Sequence, residues 1–147
     1  MKVSARIGLV AILLLQACDV DSTNKVVDAG DVDALFANAR IFDKKVVRFR
    51  SCLHVSQHGM HLQSCSARPE LPLVSFKPPS GAANRAGYDR LRAAGDHQFW
   101  EAQDSLTSVT ITGEFQYRPN TMPKYVVFVL EVADVTLIDD PSRRNGR

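Results

Sequence analysis

The chain has 147 residues, of which 45% are hydrophobic and 23% charged, and its formal net charge is +2 at pH 7. This composition is typical of a globular protein and excludes a disordered chain, a collagen and a coiled coil. The length fits one domain with a single core and is too short for a cofactor domain joined to a separate substrate domain.

The N-terminal segment has the pattern of an export signal. Two basic residues, Lys2 and Arg6, precede an apolar run over residues 7–15, and small and polar residues follow it. The apolar run is shorter than the about 20 residues that span a bilayer. The segment therefore predicts export of the chain rather than a membrane span.

The end of this segment, Leu15-Gln16-Ala17-Cys18, resembles a bacterial lipobox, the cleavage motif of lipoprotein signal peptides. The resemblance implies that residues 1–17 are removed and that Cys18 carries a thioether-linked diacylglycerol and an N-acyl chain. Each buried methylene adds roughly 0.8 kcal/mol of membrane affinity, so several chains anchor a protein stably. The alternative interpretation is a plain secretory signal that happens to contain a cysteine.

The resemblance to a lipobox implies that the protein lies on the periplasmic side of a bacterial membrane. Asp19 slightly favours the inner membrane, because in the enteric version of this family an aspartate at that position favours retention there. Cleavage removes Lys2 and Arg6 and no acidic residue, so the mature chain is formally neutral. Without an excess of cations the chain lacks the basis of nonspecific nucleic-acid binding, and we predict no nucleic-acid partner.

The mature chain begins with a polar stretch and a short helix. Residues 18–30 are acidic and polar and predict a flexible tether between the lipid anchor and the domain. Asp31 is the expected N-cap of the helix. The apolar residues that follow recur at helical spacing: Val32, Leu35, Phe36 and Ala39. This spacing predicts a short amphipathic helix that ends near Arg40.

The segment 46–66 predicts a β-hairpin. His58 and Gly59 can form a two-residue turn, and the register that follows places Cys52 opposite Cys65. Once Cys18 is lipidated, these two cysteines are left as a pair in an oxidising compartment, which favours a disulfide. Two free thiols or an intermolecular bridge are the alternatives.

The two faces of this hairpin differ in polarity. The expected inner face carries Val47, Phe49, Ser51, Leu53, Val55, Met60 and Leu62. The expected outer face carries Arg48, Arg50, Cys52 and His54. This alternation predicts a strand pair that is buried on one side.

The middle of the chain predicts less regular structure. Four prolines over residues 69–81 predict an irregular crossing with at most a short strand at 73–76. Residues 82–102 predict one or two helical turns that are broken at Gly95.

The C-terminal part predicts two long strands. Residues 108–117 alternate between apolar and polar positions, and residues 125–138 form a β-branched run. Glu131 and Asp134 interrupt this run and predict a bulge or bend. Residues 141–147 predict a basic disordered tail.

This order of elements resembles the OB-fold, a five-stranded barrel with a helix between its third and fourth strands. Residues 42–51 are similar to a first strand entered from a short helix, and residues 109–115 with 130–138 are similar to the last hairpin. Ser51 stands where many such first strands carry a glycine. Over residues 31–140 we therefore predict a mainly β (α+β) domain, an OB-fold-like barrel with a short N-terminal helix and an irregular helical crossing.

No phosphate loop, dinucleotide fingerprint, nucleophile elbow or His-Glu-x-x-His motif is present in the sequence. We therefore predict no enzyme activity, no catalytic residue and no cofactor. The aromatic residues Phe99 and Trp100 are expected to cap the core rather than stack on a ligand.

Histidines are concentrated in the predicted hairpin. His54 is expected to lie diagonal to His61, about 7–8 Å away, where a metal ion could bridge them with His58. Solvated polar positions are the preferred interpretation, because the pattern supplies no carboxylate or fourth ligand nearby. We therefore predict no metal site.

The function expected from these features is a non-enzymatic binding module, held at the membrane by Cys18, that contacts a protein or a cell-envelope component. Barrels of this kind occur in small bacterial envelope lipoproteins. The alternative is a periplasmic immunity protein that neutralises a secreted toxin, a role that small exported lipoproteins often fill.

The lipid anchor can be tested by replacing Cys18 with serine. Because Cys18→Ser removes the sulfur that accepts the diacylglycerol, the protein is expected to move from the membrane to the soluble fraction when cells are fractionated. Cys65→Ser is the matched control, since it removes a cysteine and leaves the lipobox intact. A Cys18→Ser protein that still sediments with the membranes contradicts the lipid anchor.

Overall fold

The computed structural model describes residues 25–66, 72–81, 84–102 and 105–139. The predicted signal peptide at 1–17, the predicted lipidation site Cys18 and the predicted tail at 141–147 lie outside these residues. Among the helices of the described part, none is long and apolar enough to cross a bilayer.

The described residues form six strands and three helices. In chain order these are β1 Val27–Asp31, α1 Val32–Ala37, α2 Ala39–Phe42, β2 Val46–Ser56, β3 Gly59–Gln63, β4 Val74–Lys77, α3 Ala86–Glu101, β5 Ser105–Tyr117 and β6 Tyr125–Asp139. The strands predicted from the alternation of apolar and polar residues are all present, and β5 and β6 are the longest.

Five of the strands close into a small barrel. Their order is β2-β3-β4-β6-β5, and β5 returns to pair with β2. Strands β4 and β6 are parallel, and the other neighbours around the barrel are antiparallel. Helix α3 connects β4 to β5, the third and fourth strands of the barrel. The predicted fold class, an OB-fold-like barrel with few helices, is confirmed.

Strand β1 adds a sixth strand at one edge of β2. It runs parallel to β2, beginning with Val27 opposite Val47. On this edge of β2, strand β3 pairs with the second half of the strand and does not reach the first half. Without β1, the backbone groups of the first half would be unpaired there. Ala29 also enters the core. The predicted tether over residues 18–30 is wrong for residues 27–30, because these residues belong to this strand.

The N-terminal helical segment is divided into two short helices. Asp31 is the N-cap of α1, and its Oδ1 accepts a hydrogen bond from the backbone N of Ala34 at 2.9 Å, as the sequence predicted. Asn38 then separates α1 from α2, and α2 continues to Phe42. The helical segment therefore extends beyond Arg40.

The turn of the β2–β3 hairpin differs from the predicted one. It is formed by Gln57 and His58, so that Ser56 faces Gly59. The φ of Gly59 is +120°, a conformation that glycine adopts at no steric cost. Gly59 is therefore the first residue after the turn rather than the second residue of the turn. The predicted register is wrong.

This register changes how the cysteines meet. Cys52 faces Gln63, while Cys65 lies just beyond the end of β3. The two cysteines still form the predicted disulfide, with their Cα atoms 5.0 Å apart. A shift by two residues leaves every side chain on its predicted face, because the faces of a strand alternate with a period of two.

The inner face of the hairpin supplies much of the core, as predicted. Its fully buried members include Val47, Phe49, Leu53 and Leu62. They pack with Leu35 of α1 and Leu91 of α3 in one cluster. Fully burying a side chain of this size contributes about 1.5–3 kcal/mol, so these contacts hold both helices against the barrel.

Helix α3 continues through Gly95, where the sequence predicted a break. A Cβ atom at Gly95 would overlap with the Sδ of Met60 on β3. The glycine therefore lets the helix approach the hairpin closely, at a helix-propensity cost of about 1 kcal/mol relative to alanine. The one or two helical turns predicted over residues 82–102 are instead a single helix of 16 residues.

The aromatic pair at the end of α3 does not cap the core. Helix α3 turns Gln98 towards the barrel, so the next two side chains point away from it. Trp100 is 75% exposed and Phe99 is 36% exposed, and their ring centroids lie 4.8 Å apart in a T-shaped contact. The prediction for these two residues is therefore wrong.

Two irregularities bend β6. The pairing passes from Ser108–Thr136 to Thr110–Ala133, which leaves an extra residue on β6, and Asp134 there has a φ of +50°. A second shift leaves Leu130 as an extra residue. The predicted interruption of this strand is confirmed, and such bulges increase the local twist that lets a sheet curve into a barrel.

The disulfide is expected to contribute measurably to stability. Its sequence separation is 13, and closing a loop of this size stabilises a folded protein by about 3 kcal/mol. Urea unfolding of the Cys52→Ala/Cys65→Ala variant should show a loss of that order. A reductant should destabilise the parent similarly and leave the double variant unchanged. A parent protein that is insensitive to the reductant contradicts this expectation.

Candidate binding surface

Strands β1, β2 and β5 carry polar side chains in register on the outside of the barrel. Two rows cross the three strands: Asp28–Arg48–Thr112 and Asp31–Arg50–Thr110. Each row places a guanidinium on the central strand, between a carboxylate and a hydroxyl. The surface therefore combines both signs of charge without a large excess of either.

Two adjoining clefts run along these rows and share Arg50. The smaller has a volume of about 310 Å³ and includes Asp28 and Arg48. The larger, which we call the charged cleft, has a volume of about 370 Å³. Its polar lining consists of Asp31, Asp33, Arg50, Ser64, Ser66 and Ser108. This volume lies within the range of small-ligand sites, about 300–1,000 Å³.

One wall of the charged cleft is held in place by hydrogen bonds and by the disulfide. The Ser64 Oγ donates to the Asp33 Oδ2 at 2.6 Å, and the Oγ atoms of Ser64 and Ser66 are 2.7 Å apart. Cys65, between these serines, is covalently bound to Cys52 on β2. The wall is therefore preorganised, which reduces the entropy lost when a ligand binds.

Arg50 is the free cation of this surface. Its side chain is exposed, and its guanidinium has no hydrogen bond or ion pair within the described ranges, whereas the Arg48 Nε donates to the Thr112 Oγ1 at 3.4 Å. A guanidinium offers a planar fork of donors that matches a carboxylate or a phosphate. The cleft can therefore bind a ligand that places an acidic group on Arg50 and donor groups near the two aspartates.

The sequence located only part of this surface. Arg48 and Arg50 lie exposed on the outer face of β2, as predicted, whereas Cys52, which was expected on the same face, is fully buried. Asp31 was predicted only as a helix cap. No sequence pattern identified Asp33 as part of a cleft. The serines that lie beside it in the cleft come from segments distant in sequence.

The histidines of the hairpin are closer to each other than predicted. His54 faces His61 directly, rather than diagonally. Their neighbours Leu53 and Leu62 are fully buried, so both imidazoles lie on the outer face, where they are half-buried. Burial lowers the pKa of His61 below its usual value, and the charge on His54 lowers this pKa further.

The other two histidines lie elsewhere. His58 is in the exposed turn, and the His97 Nδ1 lies 3.0 Å from a carboxylate oxygen of Glu101 on α3. Over the ranges that the structure describes, no three His, Cys, Asp or Glu residues form a group that could hold a metal ion.

Comparisons with known proteins leave the fold and this surface as the basis for assigning a function. No protein-family model matches the chain. No curated protein and no solved structure is significantly similar to it.

The lowered pKa of His61 predicts a pH-dependent stability. The unfolded chain takes up a proton at His61 as the pH falls through its ordinary value of 6.5, whereas the folded chain resists protonation there until a lower pH. Between pH 7.5 and pH 5, His61→Gln should therefore lose less unfolding free energy than the parent protein in urea titrations. Equal losses in the parent and in His61→Gln contradict this expectation.

Proposed function

We propose that this protein is an exported lipoprotein, anchored through Cys18, that acts as a non-enzymatic binding module for a protein or a cell-envelope component. The observation that supports binding most directly is Arg50, whose guanidinium has no partner among the residues that the structure describes and lies at the junction of two clefts, one of which has a preorganised wall. A binding site of this kind gains a charge-assisted hydrogen bond when an acidic group occupies it, which typically contributes about 1.5–3 kcal/mol.

Membrane anchoring would limit where this surface can act. The segment between Cys18 and the start of β1 at Val27 can reach at most about 30 Å when fully extended. The barrel is then restricted to the neighbourhood of the membrane surface. Partners within this reach include other envelope proteins, peptidoglycan and proteins that enter the periplasm from outside.

The distribution of charge supports a protein or envelope partner rather than a nucleic acid. Arg48 and Arg50 each lie beside an aspartate of β1, which offsets the positive potential that phosphate backbones require. Single-strand binding also combines cations with stacking aromatics in one groove. The exposed pair Phe99 and Trp100 belongs to α3 rather than to the charged cleft.

A periplasmic immunity protein is the second candidate function. The observation that favours it is the rigidity of the charged cleft, whose wall is fixed by the disulfide and by the Ser64–Asp33 hydrogen bond. Tight inhibition of a toxin benefits from such preorganisation, because little entropy is lost on binding.

The experiment is crosslinking of the full-length protein in its native envelope, followed by mass spectrometry of the captured partners. The parent and Arg40→Ala, an exposed arginine on α2, should capture the same partner. Arg50→Ala should capture at least about tenfold less of this partner, because the acidic group that the partner buries in the cleft loses its charged donor.

The captured molecule distinguishes the two candidates. A single stoichiometric secreted toxin supports the immunity function, whereas an envelope protein or peptidoglycan fragments support the binding module. Equal capture by Arg50→Ala and Arg40→Ala contradicts the charged cleft as the binding site. Capture of no specific molecule by any variant contradicts the binding function.

A further inference from the structure

Two histidines face each other across the β2–β3 hairpin. His54 and His61 occupy opposite positions of two antiparallel strands and point to the same side of the sheet. The Cβ atoms of facing residues lie about 4.5–5.5 Å apart. Metal-to-nitrogen bonds to imidazole are about 2.0–2.1 Å long. Two imidazoles on Cβ atoms at this spacing can therefore reach one ion between them.

We propose that His54 and His61 together bind one divalent transition-metal ion of the class that prefers imidazole, namely Cu²⁺, Ni²⁺ or Zn²⁺. Two positions of the ion are occupied by the imidazole nitrogens, and water completes its coordination. The site is distinct from the charged cleft, so it does not depend on the proposed binding function.

The backbone that carries both ligands is held in place before the ion arrives. They lie on strands whose adjacent inward residues, Leu53 and Leu62, are fixed in the core. Cys52, two positions from His54 on the same strand, bonds covalently to Cys65 and limits how far the hairpin can open. A preformed pair of ligands loses little conformational freedom on binding, which raises the affinity above that of two unrelated surface histidines.

The number of protein ligands sets the character of the site. In the part of the chain with described coordinates, no third His, Cys, Asp or Glu joins the pair. Positions on the ion are therefore left to exchangeable water, as in catalytic sites and unlike closed structural zinc sites. Affinity should follow the order of divalent ions at nitrogen sites, with Cu²⁺ bound more tightly than Ni²⁺ or Zn²⁺.

The test is calorimetric titration of the untagged full-length chain with Cu²⁺, and separately with Zn²⁺. The expected result is one equivalent of ion per chain and a Kd that rises at least about tenfold in either His54→Gln or His61→Gln, as one of two ligands is lost. His97→Gln is the matched control. It removes a histidine that faces Glu101 one helical turn away and should leave the Kd unchanged.

A second measurement removes any dependence on how the variants fold. In the unmodified protein, a Zn²⁺ titration followed by NMR of the histidine rings should shift the resonances of His54 and His61 and leave that of His97 in place. Variants that bind as tightly as the parent would overturn the proposal and indicate an adventitious ion only. Shifts confined to His97, or absent from the facing pair, would overturn it as well.

Discussion

Closure of the barrel depends on the antiparallel pairing of β2 with β5, which runs from Val46–Glu114 to Leu53–Thr107. This pairing occupies one edge of β2 and leaves the opposite edge for two other strands. β1 pairs with its first half and β3 with its second half. Because β2 is hydrogen-bonded along both edges, its alternate residues are forced either into the core or onto the outer surface.

Both candidate sites follow from this position of β2. The first half of its outer face carries Arg48 and Arg50 beside the acidic strand β1, which produces the charged cleft and the smaller cleft next to it. The second half carries His54 beside β3, which produces the histidine pair. The junction between the halves lies at Ser51, whose Oγ donates to the backbone O of Gln63 at 2.7 Å. A glycine there could not satisfy this carbonyl at the end of β3.

The elements predicted from local patterns agree with the structure where one face of a strand is buried. The hairpin faces were correct because burial of Phe49 and Leu53 defines one side of β2, whatever the register. The register itself was wrong because a glycine fits either inside or just after a tight turn. The break predicted at Gly95 was wrong because helix propensity does not report the close approach of Met60.

The sequence by itself determined the order of the strands, the polarity of their faces and the pairing of Cys52 with Cys65, since these depend on local alternation and on the number of cysteines. Only the tertiary structure decided that β1 pairs with one edge of β2, that Ser64 meets Asp33, and that His54 faces His61. Such contacts join segments distant in sequence. Their geometry depends on the closed sheet, which no local pattern encodes.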